Sequence, residues 1–187
     1  FIKNYSYDHV FNLAAMKHVR SEKDFFSLAR MISTNIISPG QMMKVLSKDK
    51  VLKNFFSVST DKASKPENVM GASKKGMEEA LASQSKDNIN LSFARFANIA
   101  FSDGSLLDGF KYRLQMKQPI SIPKNIKRYF MTDNEGAKLC ILAPLICDNL
   151  EIAIPAKNLL KPTSLINVAE RFFNYYGYDL KYFEDEK

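Results

Sequence analysis

Nowhere in the 187 residues is there an apolar run approaching the ~20 that span a bilayer. No secretory-leader pattern is visible. Only two histidines occur, His9 and His18, and neither has a clustered cysteine or acidic partner at ligand spacing, which argues against a zinc site. The two cysteines, Cys140 and Cys147, stand seven apart in one apolar helical stretch. A bridge inside a single helix is geometrically implausible, so both read as core residues and nothing signals an oxidising compartment. None of the seven glycines stands in Gly-x-Gly-x-x-Gly or a near relative, which excludes a phosphate-cradling turn of that type from this stretch. Nor does the chain open on methionine; Phe1-Ile2-Lys3-Asn4-Tyr5 reads as the interior of a longer protein.

What is present is a composition of the globular kind, 45% hydrophobic, in a chain long enough for a real core. The net charge of +7 suits either a solvated basic surface or an anionic ligand. The lysines are scattered rather than blocked together, which argues against a nucleic-acid arm.

The most informative stretch is Ser59-Thr60-Asp61-Lys62-Ala63, followed by Pro66-Glu67-Asn68-Val69-Met70-Gly71-Ala72-Ser73-Lys74. Phe55-Phe56-Ser57-Val58-Ser59 reads as a short buried strand that stops at a polar cluster. Pro66 breaks the chain again, and a helix is predicted from near Glu67 to about Ser85. Met70 and Lys74, four apart, share one face of it. A hydroxyl, a carboxylate and an ammonium thus end a strand, and a second ammonium comes off the next helix. In an open α/β sheet the carboxyl ends of the strands are where ligands bind.

Around this segment, Val10-Phe11-Asn12-Leu13-Ala14-Ala15 reads as a buried strand ending in small residues, with Met16-Lys17-His18-Val19 after it. Residues 25–46 carry a helical pattern, with a break at Ser38-Pro39-Gly40 and one polar residue, Asn35, on the apolar face. Residues 90–99 read as the next strand and 106–115 as an amphipathic helix. Pro119-Ile120-Ser121-Ile122-Pro123 reads as extended. Thr132 with Glu135 has the spacing of a capping box for a helix to about Leu145. A strand at 151–155, a helix at 164–176, a last strand at 178–183 and a solvated acidic tail, Glu184-Asp185-Glu186, complete the reading.

The Ser-Thr-Asp-Lys-Ala segment with its Pro, Asn and Met-Gly-Ala-Ser-Lys resembles the active-site segment of the UDP-N-acetylglucosamine 4,6-dehydratases, bacterial polysaccharide-biosynthesis enzymes of the extended short-chain dehydrogenase/reductase superfamily. The likeness runs from about Asp8 to about Pro155. It includes Ala14-Ala15-Met16-Lys17-His18-Val19, Thr34-Asn35, Arg95-Phe96-Ala97-Asn98-Ile99, Ser102-Asp103-Gly104-Ser105-Leu106 and Lys127-Arg128-Tyr129-Phe130-Met131-Thr132. Two departures stand out. Ala97 replaces the usual glycine, and Asp103 replaces an arginine common in the family, removing a positive charge beside an anionic ligand.

The resemblance implies an α/β, Rossmann-like parallel sheet, here lacking its N-terminal Gly-rich βαβ half, plus a small C-terminal α/β substrate-binding part. Residues 1–100 would be the C-terminal half of the NAD(P)-binding domain, and 101–187 the nucleotide-sugar part. It implies NADP or NAD as cofactor, a UDP-sugar as substrate, a homo-oligomer with no nucleic-acid partner, and a cytoplasmic location, in some long relatives as the cytoplasmic domain of a membrane-anchored protein. Leu13, Ala14, Ala15, Asn35, Ser59, Met70, Lys74 and Ile99 would line the cofactor. Lys17, Asn98, Ser102, Ser105, Leu106 and Arg128 would line the substrate. From the residues alone, Lys17 reads as a surface lysine, Arg128 reads also as a surface or structural arginine, and Asn35 reads also as a structural tie between helix and strand.

In such enzymes the cofactor takes a hydride from C4 of the sugar, water leaves across C5–C6, and the hydride returns to C6. The resemblance assigns Thr60 to the C4 oxygen, Asp61 as the acid for water loss and Lys62 as the base at C5. Lys74 then serves the cofactor ribose and the local electrostatics. The superfamily's usual tyrosine is here Met70, whose thioether does no acid–base work. Some members carry Met naturally, and three readings follow: a 4,6-dehydratase, a 4-epimerase of the same family, or a non-catalytic binding or scaffold domain. Without the Gly-rich turn, the chain as it stands is expected to bind NAD(P) weakly or not at all.

Overall fold

The computed structural model describes residues 5–17, 22–48, 50–156 and 158–183. His18, Val19 and the Glu184-Asp185-Glu186 tail lie outside them. In chain order the elements are β1 (His9–Asn12), α1 (Phe25–Ile32), α2 (Ser38–Leu46), β2 (Asn54–Thr60), α3 (Val69–Gln84), β3 (Asn90–Phe96), β4 (Asn98–Ile99), α4 (Leu106–Gln115), β5 (Lys127–Arg128), β6 (Phe130–Met131), α5 (Asp133–Ile146), β7 (Ile152–Ala153), β8 (Thr163–Ser164) and α6 (Leu165–Tyr175). They gather into two compact units. One comprises Phe1–Ala97 with Asn134–Pro155, the other Asn98–Asp133 with Ala156–Lys187.

The first unit is built on a parallel sheet of order β1-β2-β3-β7. Parallel neighbours need long crossovers, and here α1 with α2, then α3, then α5 provide them. Both faces of the middle strands are covered, so consecutive residues are buried in each, Phe55 to Ser57 in β2 and Leu91 to Ala94 in β3. On one face Phe55, Leu91 and Phe93 meet Met77 and Leu81 of α3 and Met43 and Leu46 of α2. On the other, Phe56 and Ala94 meet Ala143 of α5, with Leu139, Cys140 and Cys147 at the margin. The doubly covered parallel sheet is the Rossmann-like α/β arrangement implied by the motifs.

Between α1 and α2 the helix does not stop. Residues Ser33–Ile37 form a wider π turn. The break expected at Ser38-Pro39-Gly40 therefore comes one turn earlier. Pro39 has no N–H to offer the Asn35 carbonyl, and the Ser38 N–H reaches back five residues to the Ser33 carbonyl instead. The α3 helix begins at Val69, not Glu67, because Asn68 is its cap. The Asn68 side chain accepts the Gly71 N–H at 2.8 Å, a contact worth about 1 kcal/mol.

The second unit is held by aromatic packing. Leu107 and Phe110 of α4 close on Ala169, Phe172 and Phe173 of α6. The Phe110 ring lies 5.7 Å from Phe172 and 5.8 Å from Phe173. Two short ladders accompany it, β4 with β6 and β5 with β8. The strand expected over 90–99 is thus divided. Its first seven residues belong to the main sheet, while Asn98–Ile99 pairs with Phe130–Met131. The strand expected at 178–183 is absent. The Tyr178 N–H returns to the Phe173 carbonyl at 3.0 Å, with Gly177 at φ +79°, and the Tyr182 hydroxyl donates to Glu170 of α6 at 2.6 Å. The segment folds back on the helix before it and finds no strand edge.

Candidate active site

The site is built at the carboxyl end of β2. Thr60 ends the strand in extended conformation, φ −142° and ψ 154°, and caps the short 3-10 helix Asp61–Ala63. Its Oγ1 accepts the Lys62 N–H at 3.4 Å and donates to Asp61 Oδ1 at 3.0 Å. The Lys62 ammonium pairs with the same carboxylate oxygen at 3.2 Å. Both charged side chains stay open to solvent, 36% for Lys62 and 46% for Asp61. Ser64 ties the turn off by donating to the Asp61 carbonyl, from its hydroxyl at 2.9 Å and its N–H at 3.2 Å. Gly71 lets α3 approach this turn, since a Cβ there would stand 2.8 Å from the Lys62 carbonyl oxygen. Three consecutive residues thus present a hydroxyl, a carboxylate and an ammonium together.

Behind the turn lies a buried polar layer between β2 and α3. Lys74 is only 4% exposed, and its ammonium donates to the Val58 carbonyl at 2.6 Å. Burial pushes its pKa down from 10.5 to about 8, with the Glu78 charge opposing the change. One turn further along α3, Glu78 is buried and takes three bonds: Ser59 Oγ at 2.6 Å, Arg95 Nε at 3.0 Å and Arg95 Nη2 at 2.6 Å. The carboxylate holds the Arg95 guanidinium above its ordinary pKa. Deeper in, Asn12 donates to the Ser57 hydroxyl at 2.9 Å, which in turn donates to the Met77 sulfur at 3.2 Å. Met70 is buried on the same helix face, its N–H donating to Glu22 at 2.8 Å.

The loop after β1 is the third component. Leu13, Ala14, Ala15 and Lys17 are exposed along it. Asn35, fully buried in the π turn, fixes it. Its Oδ1 accepts the Met16 N–H at 2.8 Å, and its Nδ2 donates to the Met16 carbonyl at 2.9 Å and to Ser73 Oγ at 2.8 Å. Ser73 donates in turn to the Met70 carbonyl at 2.8 Å. One amide therefore clamps a loop to the helix that carries Met70 and Lys74.

The other candidate residues are carried by the second unit. Asn98 donates its N–H and its side-chain amide to the Tyr129 carbonyl, at 3.1 and 2.9 Å, and Ile99 pairs with Met131. Ser102 Oγ donates to the Ile99 carbonyl at 3.0 Å. Ser105 caps α4, accepting the Asp108 N–H at 3.2 Å, while the Gly104 N–H donates to Asp108 at 3.0 Å. The Gly104 and Asp108 N–H groups are thus bonded within the start of α4 itself. Leu106 packs against the aromatic cluster, and Arg128 is exposed on β5.

Sequence reasoning gave no role to Glu78, Ser73 or Asn12. Glu78 had a legible signal: it stands at i+4 from Lys74 and i+8 from Met70, a carboxylate on a helix face otherwise buried. Among the described residues no helix is long and apolar enough to cross a membrane, and no three His, Cys, Asp or Glu side chains gather as a metal site.

A family model described as polysaccharide biosynthesis protein matches residues 1–186. The chain is 30% identical over 171 residues to the capsular polysaccharide biosynthesis protein CapD of Staphylococcus aureus, covering 90% of this chain and 28% of that one. It is 31% identical over 141 residues to the UDP-glucose 4-epimerase of Rickettsia canadensis, covering 73% and 40%. Its fold matches the X-ray structure of Pen from Bacillus thuringiensis with TM-score 0.79 and 27% identity, over 91% of this chain and 53% of that one. The chain spans from 28% to 53% of the length of these three proteins.

Proposed function

This chain belongs to the polysaccharide biosynthesis protein family, and we propose that it carries the catalytic segment of a nucleotide-sugar 4,6-dehydratase acting on UDP-N-acetylglucosamine. The observation that supports this reading is the Thr60-Asp61-Lys62 turn at the carboxyl end of a central strand, where one oxygen of the Asp61 carboxylate accepts the Thr60 hydroxyl at 3.0 Å and the Lys62 ammonium at 3.2 Å. Elimination of water needs an acid for the leaving hydroxyl and a base for the C5 proton. Asp61 and Lys62 are the two exposed titratable groups of that turn. In this reading Thr60 holds the C4 oxygen, a role taken from the motif likeness.

A nicotinamide dinucleotide fits part of what is present. The Leu13-Ala14-Ala15 loop offers small, exposed residues on a backbone that Asn35 fixes, whereas Ser59, Met70 and Lys74 are buried, with the Ser59 hydroxyl and the Lys74 ammonium bonded within the chain. When bound, NAD(P) supplies a transient hydride acceptor. The chain's own residues orient the sugar and move protons. Lys74, bonded to Val58, contributes a buried positive charge behind the turn; Lys17 stands on the exposed loop of the first unit, and in the second unit the motif likeness assigns Asn98, Ser102, Ser105, Leu106 and Arg128 to the nucleotide sugar.

A second reading, a nucleotide-sugar 4-epimerase, is favoured by the identity with the Rickettsia canadensis epimerase. Epimerisation at C4 has no leaving hydroxyl to protonate and leaves the Asp61–Lys62 pair without work. The test is mass spectrometry of UDP-N-acetylglucosamine after incubation with the intact protein in heavy water. A product lighter by one water, with deuterium at C5, is expected, and Asp61→Asn should abolish it. A product of unchanged composition and inverted C4 would move the assignment to the epimerase. No turnover in either protein would leave a binding domain.

A further inference from the structure

Ser59 and Arg95 stand opposite each other in register on adjacent parallel strands, one residue before β2 ends and one before β3 ends. Both side chains turn to α3, and both end on the same carboxylate. Glu78 accepts Ser59 Oγ and Arg95 Nε on Oε1, and Arg95 Nη2 on Oε2. The carboxylate is 5% exposed and the guanidinium 16%. Such a buried, multiply bonded ion pair has one geometry, because any departure leaves a charge without partners. The residue after Ser59 is Thr60, and the next two are Asp61 and Lys62.

We propose that Glu78 is a positioning residue: with Arg95 it clips the carboxyl ends of β2 and β3 together through Ser59, and so fixes where Thr60, Asp61 and Lys62 stand. It touches no reacting atom. Its chemistry is that of a buried anchor, and Lys74 does the parallel job one turn earlier by bonding the Val58 carbonyl. The two side chains rivet α3 to successive residues of the same strand, one from a cation and one from an anion. Beyond them the turn rests on buried Ala63 and on the close approach of α3 at Gly71, while its charged side chains are open to solvent and tied to each other and to Thr60. The consequence for chemistry rests on the dehydratase reading above; the consequence for the turn's rigidity does not.

The test uses Ser59→Ala, which removes only the tether and leaves the Glu78–Arg95 pair bonded, together with Glu78→Gln and the double variant, all in the intact protein. Hydrogen exchange by mass spectrometry compares the 57–64 segment with the core segment 89–93. In Ser59→Ala, exchange over 57–64 should rise about tenfold while 89–93 is unchanged, as loss of one charge-assisted bond implies. On UDP-N-acetylglucosamine, kcat should fall about tenfold with KM held within about twofold, the signature of misplaced catalytic groups rather than lost binding. Adding Ser59→Ala to Glu78→Gln should loosen 57–64 further, because the glutamine carbonyl oxygen still accepts the Ser59 hydroxyl until that hydroxyl is removed. Unchanged exchange over 57–64, equal loosening of both segments, or a rise in KM at constant kcat would overturn the proposal. A wild-type protein with no turnover would sink the dehydratase assignment alone, and the exchange comparison would still decide the anchor.

Discussion

Replacing Lys74 by Met asks whether a buried ammonium carries a measurable stability cost. The side chain is 4% exposed, with its pKa lowered from 10.5 to about 8 by burial, against the opposing charge of Glu78. Between those values the unfolded chain holds a proton that the folded chain has released, so stability rises as pH rises from about 8 towards 10.5. Below pH 8 the folded protein bears the full cost of the buried charge, roughly 3 kcal/mol at about 1.4 kcal/mol per pH unit. Methionine has similar length and no charge, so the variant lacks this dependence. The bond from Lys74 to the Val58 carbonyl survives deprotonation, because a neutral amine still donates. Urea unfolding of the two proteins should therefore show a difference that moves in favour of the wild type by about 2–3 kcal/mol between pH 7 and pH 10. Other groups that titrate over this range are common to both proteins and cancel. A difference that stays constant, or moves the other way, would refute the account of Lys74 as a desolvated ammonium.

Other substitutions probe the frame around the turn. Asn35→Ala strands the Met16 N–H and carbonyl that Asn35 now pairs. It should cost roughly 2–3 kcal/mol, lowering Tm by roughly 5–10 °C in a calorimeter; an unchanged Tm would mean that water replaces the amide. Gly71→Ala would place a methyl 2.8 Å from the Lys62 carbonyl oxygen. Despite the better helix propensity of alanine, it should destabilise by about 1–2 kcal/mol in urea and shift the amide resonances of residues 61–63. Stabilisation by that change would show that α3 and the turn are not in close contact.

Much of the fold was legible in local pattern. The buried strands β2 and β3 and the shared helical face of Met70 and Lys74 follow from rules of period, while the start of α3, expected near Glu67, comes at Val69 because Asn68 caps it. The π turn was not legible, because it depends on a hydrogen bond that Pro39 cannot make and on Asn35 finding partners 19 and 38 residues away. The last strand expected at 178–183 failed for a related reason. Its residues have strand character, but a strand exists only if an edge is available, and the segment meets α6 instead.

The same division runs through the site. Sequence alone placed Thr60, Asp61 and Lys62 together, since adjacent residues at a strand end share a turn whatever the rest of the chain does. It also placed Met70 and Lys74 on one helical face and, through motif likeness, pointed to the family. Which side chains face solvent and which are spent on structure was decided only in three dimensions. Lys74 looks like a ligand-facing cation in the sequence and bonds a strand carbonyl in the fold. Glu78 and Arg95, 17 residues apart in the chain, become one ion pair because the register of β2 and β3 puts Ser59 opposite Arg95 under α3. Burial is a property of neighbours, and neighbours distant in sequence are fixed by the packing of sheet and helix, not by the residues on either side.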